Sequence, residues 1–251
     1  MPEQTPSLPR LRHSRWVRGT HWVGAASFFV LIVSGVIILM CHPRLYWGEA
    51  GNDLTPAWLE LPISRNFQHG GWTNRTPFFP EAPSPATASR TFEIFNQNGW
   101  GRSLHFLGAW VLVATGTVYL LAGLVTRHFQ RHLIPPAGEL TLGRFRQEIL
   151  SHLRLQIRPG TGGPQYGLLQ KLTYCGVLFG ALPLAVVTGL GMSPAVTAVF
   201  PLLSGMFGGH QSARTLHFFA SVVLVLFLGV HLAMVIQSGF RRQIRALTLG
   251  D

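Results

Sequence analysis

The fold turns on RTLHFFASVVLVLFLGVHLAMVIQ, residues 214–237. This run is long enough to cross a hydrocarbon layer of ~30 Å as an α-helix. It carries no charged side chain after Arg214, yet it places one histidine near each end, His217 and His231. Fourteen residues of helix rise ~21 Å and come back to within ~40° of the starting direction. Both imidazoles therefore share one face, one near each side of a membrane. That geometry suits two cofactors stacked across a bilayer.

Composition agrees with a membrane protein. The 251 residues are 47% hydrophobic and 12% charged, with a formal net charge of +11 carried almost entirely by arginine; Lys171 is the only lysine. The basic residues flank apolar runs of membrane length, which positive-inside topology explains better than nucleic-acid binding does. Two cysteines, Cys41 and Cys175, make no disulfide framework, and no CxxCH motif for covalent haem attachment is present. The basic N-terminus followed by an apolar run resembles a signal peptide. The run is long and no small-residue cleavage site ends it, so it reads as a retained helix.

Working outward, the pattern predicts an all-α integral membrane four-helix bundle with spans at about 21–40, 103–126, 168–192 and 214–237. Trp16 and Trp22 suit the membrane interface, and Pro183 predicts a kink in the third span. Residues 41–101 form a long segment rich in Pro, Asn, Gly and aromatics, including Trp47, Trp58, Trp72 and Trp100. It is too aromatic for a plain linker and is expected to be a partly ordered extramembrane cap. Fourteen of the twenty basic residues fall in the N-terminal segment, the 127–158 connector, Lys171 and the tail. The other six share their side with five acids. Both termini are therefore expected in the cytoplasm and the 41–101 loop in the periplasm.

Ionisable or strongly ligating residues inside spans are costly and point to function. Of eleven histidines, His21, His105, His217 and His231 lie in or at the mouth of spans. Alternating span direction pairs them by depth: His21 with His231 near the cytoplasmic surface, and His105 with His217 near the outer one. Iron held by two imidazoles keeps no open position, which suits electron transfer. Two imidazoles alone leave zinc half its usual ligand set. Gly24, Gly108 and Ala220 each lie three residues after a candidate ligand, and Gly35 lies fourteen after His21. Gly35 and Gly108 are expected to make room for a flat macrocycle. Gly189 and Gly191 read as helix-packing residues. Arg18, Arg102 and Arg214 each precede a candidate ligand by three and are positioned to pair with propionates. The other histidines read as solvated, with His42 and His210 nearest the outer pair.

The motifs RGTHW (18–22), SG (34–35), HPRLYWG (42–48), GRSLHF (101–106), LQKLTY (169–174), TGLGMSP (188–194) and GGHQSARTLHF (208–218) resemble the membrane di-haem cytochrome b subunits. That family serves thiosulfate reductase, formate dehydrogenase and NiFe-hydrogenase, and the thiosulfate-reductase-like branch is the most similar. The resemblance implies a single di-haem domain over residues 1–251 in the bacterial cytoplasmic membrane. It makes His21, His105, His217 and His231 axial ligands of two b haems. It also implies an exchangeable quinone on one face and a periplasmic molybdopterin-type oxidoreductase as partner. No triad, carboxylate pair or nucleotide loop gives the chain catalytic residues of its own, so it is expected to be an electron-transfer subunit with quinol oxidation or quinone reduction as its own step. One rival is a self-contained oxidoreductase acting on a small molecule such as superoxide at the outer haem, through a cationic funnel of Arg102 and Arg214. Another is a haem-free protein whose histidines pack or relay protons.

Overall fold

A computed structural model describes residues 14–51, 55–63, 98–153 and 167–249. It is predominantly helical, and four helices are long and apolar enough to cross a membrane. They are α1 (Arg15–Cys41), α2 (Asn98–Val125), the composite Leu168–Gly191, and α8 (His210–Gln237). All four spans cover the expected positions, although α1, α2 and α8 begin a turn or more early, where helical hydrogen bonding runs past the apolar stretch. Large apolar side chains such as Phe29, Leu107, Trp110, Leu121 and Leu226 are exposed along these helices. Such a periphery fits lipid and would be a liability in water.

The third span is not continuous. It runs as α4 (Leu168–Gly176), a π-helical turn (Val177–Ala181) and α5 (Leu182–Gly191). Pro183 has no N–H and its ring crowds the preceding turn, so the expected kink takes the form of a widened turn just before it. Between α4 and α2 lie a π turn at Phe129–Leu133 and α3 (Leu142–Leu153); α6 (Pro194–Val199) and α7 (Leu202–Gly205) follow α5, and α9 (Phe240–Thr248) follows α8.

Contacts divide the chain into two compact units, each drawing on all four spans. One comprises residues 23–115 and 181–225. In it, the chain leaving α1 forms a two-residue antiparallel ladder, with Arg44 opposite Glu60 and Leu45 opposite Leu59. This loop satisfies the open N-terminus of α8, whose first N–H groups have no helical partner. The N–H groups of Gln211 and Ser212 donate to the Gly48 carbonyl (3.0 and 3.2 Å), and that of His210 donates to the Glu49 carboxylate (3.1 Å). The Gly48 N–H donates to Ser212 Oγ (2.8 Å), and Thr215 Oγ1 donates to the Tyr46 carbonyl (2.7 Å). Gly209 (φ 116°) permits the approach, because a Cβ there would meet the Gly48 carbonyl at 2.5 Å. Of the 41–101 segment, 42–51 and 55–63 are ordered in this way; 52–54 and 64–97 lie outside the described residues.

The other unit comprises residues up to 22, 116–180 and from 226 onward. The two acids of its basic connector both serve the start of α4. Glu148 accepts the N–H groups of Leu168 (2.8 Å) and Leu169 (2.7 Å), placing a carboxylate on the positive end of the helix. Glu139 pairs with the buried Lys171 at 3.1 Å. Arg18 Nη1 and Trp22 Nε1 donate to the carbonyls of Thr248 and Leu247 (both 3.2 Å), occupying acceptors left open at the end of α9.

Candidate functional site

The four span histidines meet as two pairs, each within one unit. The rings of His105 (α2) and His217 (α8) have centroids 6.2 Å apart with planes inclined at 68°. Those of His21 (α1) and His231 (α8) are 6.4 Å apart at 56°. These are the pairs expected from span direction. The separation is informative: two metal–imidazole bonds of ~2.0–2.1 Å plus two ring radii of about 1.1 Å give about 6.3 Å.

Hydrogen bonding identifies the free nitrogen of the first pair. His105 Nδ1 lies 3.0 Å from Ser34 Oγ, whose own proton is committed to the Val30 carbonyl at 2.7 Å. The Ser34 oxygen therefore accepts, His105 carries Nδ1–H, and Nε2 keeps a bare lone pair. His217 repeats the arrangement. Its Nδ1 lies 2.8 Å from the Ala185 carbonyl and 3.2 Å from Thr188 Oγ1, and the Thr188 hydroxyl donates to the Leu184 carbonyl at 2.6 Å. Both imidazoles are held in the tautomer that a metal ligand needs.

A glycine follows each of these hydroxyl residues. A Cβ on Gly35 would stand 3.6 Å from His105 Cε1, and one on Gly189 would stand 3.4 Å from His217 Cε1. In each half, then, one helix presents a hydroxyl to Nδ1 and an adjacent glycine to the ring edge of the next span's histidine. Gly35, expected to make room for a macrocycle, faces the His105 ring, and Gly189, expected only to pack helices, faces that of His217. Sequence reasoning gave Ser34 and Thr188 no role. Their signal was the repeated hydroxyl–glycine dipeptide, Ser34–Gly35 and Thr188–Gly189, in the span before each ligand.

The second pair is held differently. The ring of His231 stacks on Phe227 (5.9 Å, 24°) and meets Tyr174 at 6.4 Å, and its Nδ1 is buried without a hydrogen-bond partner. His21 lies edge-on to Trp22 at 5.6 Å. The other expected residues are placed as follows. Arg18 donates to the Thr248 carbonyl and keeps a buried, unpartnered Nε; Arg102 is exposed; and Arg214 donates to the His42 carbonyl. Gly108 faces Val30 and Leu31 of α1, where a Cβ would come within 3.1 Å, so its visible work is close helix packing. Gly24 faces open space.

Among the described residues no group of three or more His, Cys, Asp or Glu side chains converges. Two imidazoles alone do not make a tetrahedral zinc site. They do suit a macrocycle that brings four nitrogens of its own and needs one ligand on each face.

The sequence model of the prokaryotic cytochrome b561 family matches residues 12–250. The chain belongs to that family. Its members bind b-type haem in the membrane, and membership makes this chain a haem protein of transmembrane electron transfer. Among curated proteins it is similar to a putative protein-methionine-sulfoxide reductase subunit, YedZ1, of Azospira oryzae. The two are 25% identical over 223 residues, covering 89% of each chain. No solved structure matches. The ring gaps of the His21–His231 and His105–His217 pairs are wide enough for such a haem group between them.

Proposed function

We propose that the chain holds two b haems, one between His105 and His217 and one between His21 and His231, and passes electrons between a membrane quinone and a periplasmic oxidoreductase. The observation that carries this is the pair of matched imidazole gaps, 6.2 and 6.4 Å. The haems supply one-electron chemistry, and the protein supplies ligands, their orientation and a dry, apolar setting. Bis-imidazole ligation leaves no position for substrate, so bond-breaking chemistry belongs to the partner. The relative's description as a reductase subunit supports a catalytic partner. A molybdopterin-type enzyme acting on oxidised methionine is the partner we propose.

The charge distribution supports cytoplasmic termini and a periplasmic 41–101 loop. The loop residues 42–51, bonded to the start of α8, offer the partner a docking surface. A quinone terminal beside the His21–His231 pair is supported by Lys171 and Glu139, an ionised pair held at the start of a membrane-length helix one turn from Tyr174. The rival small-molecule funnel draws no support from Arg214, whose guanidinium is bonded to His42.

The test is a pyridine haemochrome count with a reduced-minus-oxidised spectrum of the purified chain. Two b haems per chain are expected. One would discard a pair, and none would return the histidines to packing.

A further inference from the structure

α8 ends at Gln237, and Gly239 (φ 99°) turns the chain directly into α9 (Phe240–Thr248). A left-handed residue breaks the helix here, and glycine takes that conformation without a Cβ clash. At its other end α9 meets the opening turns of α1. Arg18 Nη1 donates to the Thr248 carbonyl and Trp22 Nε1 to the Leu247 carbonyl, both at 3.2 Å. α9 therefore runs from the end of one membrane-length helix to the start of another. Those two points mark where apolar spans meet water, so α9 lies at the membrane border whichever face of the membrane that is.

Its two sides differ. Ala246 is buried, and Ile244 and Leu247 are half-buried. Arg241 and Arg245, one turn apart on the same face, are exposed. Phe240 and Leu249, at the start of α9 and just past its end, are exposed as well. α9 contains no acid, and the two described acids of its unit, Glu139 and Glu148, are engaged at the start of α4. A short helix at the membrane border with arginines on one face and apolar residues beside them has the build of an interfacial helix. The charge complementary to a pair of guanidiniums at that depth is the phosphodiester of an anionic lipid headgroup.

We propose that α9 is an interfacial helix that binds anionic phospholipid headgroups through Arg241 and Arg245. The proposal needs neither the number of haems nor the sidedness of the chain. The bilayer is its source of phosphate, because only a headgroup is held at the depth where α9 lies.

The experiment is electron spin resonance of trace spin-labelled phosphatidylglycerol and spin-labelled phosphatidylcholine with the full-length protein reconstituted in phosphatidylcholine vesicles. The fraction of each label immobilised at the protein surface gives the lipid preference. The parent should prefer phosphatidylglycerol. Arg241→Gln/Arg245→Gln should lower that preference by about twofold or more, and Arg241→Lys/Arg245→Lys, which keeps both charges, should retain most of it. Arg144→Gln/Arg146→Gln removes the same charge from exposed positions of α3 and should leave the preference unchanged. Should the double glutamine variant fail to hold its Soret band, the two single variants decide. No preference in the parent would leave the arginines to an acidic partner and overturn the proposal. An unchanged preference in the α9 variant, or an equal loss in the α3 variant, would also overturn it. So would displacement of the labelled lipid by inorganic phosphate beyond that by chloride at the same ionic strength, which would make this a site for free phosphate.

Discussion

The His105–His217 and His21–His231 pairs present almost the same gap and reach it by different means. The first is held by hydrogen bonds: each Nδ1 is engaged by a residue of a neighbouring helix, and a glycine lies beside each ring. The second is held on His231 by aromatic packing against Phe227 and Tyr174. In the same unit as the second, Glu139, Lys171 and Glu148 tie the connector to the start of α4. Gap width is what a bis-imidazole haem demands, so under the proposed two-haem function it is shared. What stands behind the imidazole is free to differ, and there the two centres acquire separate properties.

The largest effect expected is loss of ligands. His217→Ala and His231→Ala should each halve the haem content, leaving one spectrally distinct centre. A single substitution that empties both sites would end the comparison, since the centres would then not be independent. Next is Glu139→Gln, which strands a buried ammonium. Removing one partner of a buried pair costs about 3 kcal/mol or more, and the thermal midpoint of the protein should fall. The double variant Glu139→Gln/Lys171→Met should recover most of the loss, whereas a lack of recovery would mean that Glu139 acts by some other contact.

A third test is steric. Gly189→Val should displace the His217 imidazole and lower haem occupancy at that centre alone, as read by haemochrome count. Gly35→Ala, with 3.6 Å of room, should be tolerated. Full haem occupancy in Gly189→Val would deny that glycine a role beside the His217 ring. The smallest effect belongs to Phe227→Leu. The lost aromatic contact is worth about 0.5–1.5 kcal/mol, and the EPR signal of the His21–His231 centre should change while the other stays fixed. A change in both would show that the stacking supports the fold more than the ligand.

Much of this was legible before the fold was known. The spans follow from apolar length, and the pairing of histidines follows from span direction and the fourteen-residue spacing in α8. Pro183 announced a break in the third span, although not its form as a π turn. Ser34 was not legible, and Ser27 shows why. Both sit on α1, and both donate to the carbonyl four residues back, as a hydroxyl in a membrane helix does. Only the packing of α2 gives Ser34 a histidine to face. Gly189 was read as a packing residue for the same reason, since small residues in spans usually serve close helix approach. Arg214 sits three residues before a ligand, a natural place for a propionate partner, but the loop after α1 takes its guanidinium.

By itself the sequence determined that this chain has four helices of membrane-crossing length and carries four histidines in two pairs along them. Those properties depend on hydrophobic length and helical period, which act along the chain. Only the tertiary structure decided which hydroxyl meets which imidazole, which glycine opens onto a ring, and which nitrogen is left to bind. Those contacts join residues from 29 to 71 positions apart. They depend on how one helix is rotated against the next, and no local pattern encodes that rotation.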